Sequence, residues 1–101
     1  MLLSHAVLLA EARSYVAALA DQALSFDAAL EYERVLLQLD WLHQGSVPPI
    51  TVVPSGDPSV LFNVAVAAVT GLEHHAVDRL ELEICLSMLH AARDLGLERS
   101  S

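Results

Sequence analysis

Five histidines, thirteen acids and a single cysteine are the side chains here able to do metal, proton or thiol chemistry. His74, Asp78 and Glu81 recur at spacings of four and three. On one helix that spacing lays an imidazole and two carboxylates along the same face, where they can hold a metal ion or relay a proton. Asp40 and His43 stand one turn apart on an earlier helix, the separation used by carboxylate–histidine metal sites in helical bundles. The candidate metal ligands are therefore His74, Asp78 and Glu81, and the candidate catalytic groups are Glu33, Asp40 and His43. Neither set is complete. A di-iron bundle uses two Glu-x-x-His motifs with two further glutamates, and no Glu-x-x-His occurs in this chain. Acids near a helix start are also favoured by the macrodipole without any ligand. The reading leans to no enzyme activity, no cofactor and no metal.

Cys85 stands alone, so neither an intrachain disulfide nor a thiolate zinc site can form. Its mid-helix, apolar context predicts a small buried hydrophobe. No nucleophile elbow, phosphate loop or Ser-His-Asp order is present.

These groups must be positioned by helices. The predicted single domain, 1–101, is all-α: helices over about 4–24, 26–44, 58–70 and 72–95, with a frayed tail at 97–101. Ser4 and Ser25 are the expected N-caps of the first two, and Gly45 the stop of the second. Residues 45–57 hold Pro48, Pro49 and Pro54, which predict an extended crossover between helices two and three. Asp57-Pro58 is a cap followed by proline at the first helical position. Thr70-Gly71-Leu72-Glu73 fits a capping box and sets the expected start of helix four, with Gly96 as its end. The expected architecture is a small four-helix bundle.

Composition then points to assembly. Hydrophobic residues make up 54% of the chain and charged ones 18%, against about 45–50% and 25% in ordinary domains. A chain of this size has one modest core, so the surplus apolar surface is expected to be covered by another chain. On helix two, Ala28, Tyr32, Val35, Leu39 and Leu42 form one stripe, and Leu30, Leu37 and Trp41 a second on nearly the opposite side. On helix four, Val77, Leu80, Ile84, Met88, Ala91 and Leu95 form one stripe, and Leu82, Cys85, Leu86 and Leu89 the other. The expected interface is Leu30, Leu37 and Trp41 with Leu82, Leu86 and Leu89, Trp41 being the natural hot spot.

The stretch Phe26-Asp27-Ala28-Ala29-Leu30-Glu31-Tyr32-Glu33-Arg34-Val35-Leu36-Leu37-Gln38-Leu39-Asp40 resembles the second helix of a tetratricopeptide repeat. Ala29 matches the small packing position of that family, and Leu37-Gln38-Leu39-Asp40 its close. Arg13 stands where the repeat's usual tryptophan falls, Trp41 replaces the terminal proline, and no second unit follows. Solenoids need about three units, so the fifteen-residue match carries no family assignment.

The net charge is −8, with five arginines and no lysine. A chain so acidic lacks the basic patch that phosphate or anionic lipid requires, so neither nucleic acid nor membrane is an expected partner. The longest strongly apolar stretch, Val60 to Thr70, falls short of the ~20 residues of a membrane span. Met1 to Leu9 imitates a signal peptide, but no cation precedes it, and Glu11 and Arg13 break the apolar run; the expected compartment is the cytoplasm. Lysine-free, alanine- and leucine-rich usage points, on codon bias alone, to a bacterial source. The leading expectation is a non-enzymatic interaction or adaptor protein that forms a homodimer, and that also has surface for another protein. The alternative is a small oligomeric ligand-binding protein or enzyme, with an apolar pocket between helices and a carboxylate or histidine (Glu33, Asp40, His43 or His74) as its polar group.

Overall fold

The computed structural model describes residues 3–23, 25–43, 57–75 and 78–100. They form α1 (Leu3–Gln22), α2 (Phe26–His43), α3 (Pro58–Gly71), a 3₁₀ turn (Leu72–His75) and α4 (Arg79–Ser100). Among the described residues there is no strand. The fold is an all-α bundle of four helices, as its 3.6-residue periodicity predicts.

Each helix touches two neighbours. α1 packs on α2 and α3, α4 packs on α2 and α3, and the diagonal pairs make no close approach among the described residues. Cross-helix pairs fix the directions. Gln38 meets Glu81, Phe62 meets His90, and Leu8 lies against Gly71. Late residues of one helix face early residues of its neighbour each time, so adjacent helices run antiparallel. The shortest extent, 20 Å, is two helical layers of about 10 Å each.

The core is built from Leu9, Ala12 and Val16 of α1, Val35 and Leu39 of α2, Phe62, Ala65 and Val69 of α3, and Cys85 and Leu89 of α4. Small residues set the spacing of α1 and α3. Ala12, Ala65 and Ala68 are buried, and a Cβ added at Gly71 would lie 3.2 Å from Cδ1 of Leu8. The apolar α3 is not buried all round, because Val60, Asn63 and Ala67 face outward.

Two caps match expectation. The Ala28 N–H donates to Ser25 Oγ at 3.0 Å, and the Ser59 N–H donates to Asp57 Oδ1 at 2.8 Å, with Pro58 opening α3. The start of α4 does not. The Thr70 hydroxyl donates to the Val66 carbonyl one turn back at 2.7 Å, and Thr70 lies inside α3, not in the non-helical backbone that an N-cap has. α3 runs on through Gly71 into the 3₁₀ turn, and α4 begins at Arg79. Its cap is Asp78, which accepts from Leu80 N–H at 2.9 Å and Glu81 N–H at 3.4 Å. Gly96 does not end α4, which continues to Ser100. Nor does Ser4 cap α1, whose helix already includes it. The proline crossover, apart from Asp57, lies outside the described residues.

Candidate functional site

The groups picked for chemistry are dispersed. Asp40 is held by Arg13, whose Nε lies 2.8 Å from Oδ1. The arginine side chain is 12% exposed and the carboxylate 39%, so this pair ties α1 to α2 at the edge of the core. Glu33 is exposed on the outer side of α2. Asp78 is occupied as the cap of α4, and Glu81 accepts a hydrogen bond from Gln38 Nε2 at 2.8 Å. The side chains of His43 and His74 lie outside the described set. The shared face expected for His74, Asp78 and Glu81 needs one continuous helix, and there is none: His74 belongs to the 3₁₀ turn, whereas Asp78 opens α4. Among the described residues, no three His, Cys, Asp or Glu side chains gather closely enough to hold a metal ion.

Cys85 is fully buried. Loss of solvation, with a smaller contribution from the Glu81 carboxylate, pushes its thiol up to about 12. A thiol so strongly protonated at neutral pH is a poor nucleophile. At the far end of the bundle, the buried Phe62 ring receives His90 edge-on, centroids 5.3 Å apart at 72°. The Arg93 guanidinium sits 4.7 Å from the same ring centre. Burial raises the Tyr32 hydroxyl above its usual range, with Arg93 opposing. This cluster clamps α3 to α4.

The surface is more informative than these polar groups. Phe26 is 78% exposed, Leu30 49%, Leu37 68% and Trp41 65%. At about 100° per residue they share an arc of about 60°, directly opposite the buried Ala28, Tyr32, Val35 and Leu39. Glu33 and Arg34 sit at the middle of this line and are also exposed. Beside it, α4 presents Leu80 at 66% and Ile84 at 45%. Because Gln38 meets Glu81 and the helices are antiparallel, Leu80 falls toward the Trp41 end of α2 and Ile84 toward Arg34.

Half of the expected interface therefore faces outward and half does not. Leu30, Leu37 and Trp41 are exposed, whereas Leu82 and Leu89 belong to the core and Leu86 packs against it. α4 sits in the corner between α2 and α3, and the stripe containing Cys85 is the one turned into that corner. The large apolar residues that α4 exposes are Leu80 and Ile84. Phe26, which the sequence presents as a helix start, joins the same line, its offsets to Leu30, Leu37 and Trp41 being four, eleven and fifteen. Neither a protein-family model, nor a curated protein, nor a solved structure matches the chain.

Proposed function

We propose that this chain is a non-enzymatic helical interaction protein that self-associates through the outer face of α2, bordered by Leu80 and Ile84 of α4. The observation that carries this reading is the line Phe26, Leu30, Leu37 and Trp41, four large apolar side chains exposed on one helix with the core on its other side. Scattered exposed leucines are ordinary, but four large apolar side chains along one helix face, with aromatics at both ends and polar residues around them, have the composition of an interface. The dispersal of Asp40, Asp78 and Glu81 into structural contacts supports a binding role over catalysis. The acidic net charge of −8 argues against nucleic acid as the partner. No helix among the described residues is long and apolar enough to cross a membrane. A bacterial cytoplasmic setting fits the lysine-free composition and the charged residues that interrupt the N-terminal apolar run.

Sedimentation of the purified chain tests this. We expect a dimer at tens of micromolar, with Trp41→Glu weakening it by at least about thirtyfold, the scale of a hot-spot loss, while far-ultraviolet circular dichroism is unchanged. A wild-type chain that stays monomeric at high micromolar concentration would falsify the reading.

A further inference from the structure

Resting on that reading, we infer that the partner is a second copy whose α2 runs parallel and in register with the first, with Glu33 of each copy against Arg34 of the other. Position along α2 supplies the argument. The apolar line is centred between residues 33 and 34, and its spacing of four, seven and four residues is the same read in either direction. Apolar matching therefore permits two twofold pairings. An antiparallel pairing sets Phe26 against Trp41 and Leu30 against Leu37. A parallel pairing sets each residue against its own copy.

Charge separates them. Glu33 and Arg34 flank the apolar line on opposite sides, each about 50° from its centre at about 100° per residue. Around a twofold axis perpendicular to the helices, a residue stays on its own side of the seam. The antiparallel pairing thus brings Glu33 beside Glu33 and Arg34 beside Arg34. Around a twofold axis along the helices, the sides exchange, and each Glu33 meets an Arg34. Both flanks then carry opposite charges, as edge positions do in parallel two-stranded coils. The like-charge alternative is disfavoured on both flanks at once.

The occupant also fits by size. The four side chains expose on the order of 500 Å², taking ~150–250 Å² for a whole aromatic side chain, and the bordering Leu80 and Ile84 add to it. That approaches the ~800 Å² per partner of a standard interface. A dimer of micromolar strength is the expected result.

Two measurements on the full-length chain test the pairing. Leu30→Cys and Phe26→Cys, made separately, should each give a disulfide-linked dimer on mild oxidation. The buried Cys85 leaves the wild-type chain uncrosslinked. In the antiparallel pairing, the two copies of position 26 stand about 22 Å apart along the seam, at 1.5 Å per residue, beyond the reach of a disulfide. Charge reversal is the second measurement. Glu33→Arg and Arg34→Glu should each weaken dimerisation about tenfold, and the double variant should return to within about threefold of wild type. A wild-type dimer in which position 26 does not crosslink, or in which the double variant is no better than the singles, overturns the parallel pairing and leaves self-association standing. A monomeric wild type overturns both.

Discussion

Along α2, Ala28, Tyr32, Val35 and Leu39 lie on one side and Phe26, Leu30, Leu37 and Trp41 on the other, and both sets are apolar. None of the first is more than 6% exposed and none of the second less than 49%. They differ in that the inner stripe mixes small and large side chains. The inner stripe contains Ala28 and Val35, which let α1 and α4 approach, and the outer stripe contains only large side chains. On α4 the contrast is weaker: Cys85 and Ala92 are buried together with the large Leu82 and Leu89, and the outward Leu80 and Ile84 share their stripe with the exposed Ala91. Periodicity reveals how many apolar stripes a helix has, and on α2 the stripe that includes small residues is the one that meets its neighbours. Close packing at interior density needs those small residues, whereas an outward stripe has no backbone pressing on it.

Truncation on each side of α2 probes the contrast most strongly. Leu39→Ala should cost about 2–5 kcal/mol of folding stability, the range for an emptied core site. Leu37→Ala should stay within about 0.5 kcal/mol of wild type in a dilute, monomeric sample. Urea denaturation reads both, and equal losses would mean that α2 has no outward side.

The dryness of the inner face has its own signature at alkaline pH. The Cys85 thiol is raised from 9.0 to about 12 in the folded chain, so above pH 9 the folded state holds a proton that the unfolded state releases. The stability this contributes is complete below pH 9 and is lost as pH rises toward 12, at about 1.4 kcal/mol per pH unit. Tyr32, also raised, acts in the same direction above pH 10. Thermal melts of Cys85→Ala should therefore fall less steeply than wild type between pH 9 and 11. Parallel curves would show a thiol in contact with water.

Smaller effects belong to the boundary between the two sides. Asp40→Asn takes the carboxylate from a mostly buried Arg13 and should cost about 1–3 kcal/mol, with Asp40→Glu recovering part of it. Ser25→Ala removes the cap of α2 and should cost about 1 kcal/mol while leaving the dimer constant unchanged. A shift in that constant would tie the seam to the fraying of the first turn, where Phe26 lies.

How far these features could be read in advance varied with how local their causes are. The caps at Ser25 and Asp57-Pro58 depend on neighbours within three residues, and they are visible in the chain. So are both stripes of α2. The start of α4 lies nine residues beyond Thr70 because α3 continues through Gly71, and whether a helix goes on past a possible cap depends on packing beyond the capping-box pattern. Gly96 weakens a helix without ending one. Which stripe of α4 turns inward, and the pairing of Arg13 with Asp40 twenty-seven residues away, depend on docking between helices, which no local pattern encodes. The single helix face expected for His74, Asp78 and Glu81 is divided by that later helix start.

The broadest packing in the bundle joins α1 to α3 and α2 to α4, so it crosses between the first half of the chain and the second. Neither hairpin, α1–α2 nor α3–α4, has a finished interior of its own. Severing the backbone between residues 44 and 56 would give two pieces, each carrying one side of the two broadest contacts. Such pieces are suited to recombine when mixed and to do little apart, because the interior of the bundle is shared between the two halves of the chain.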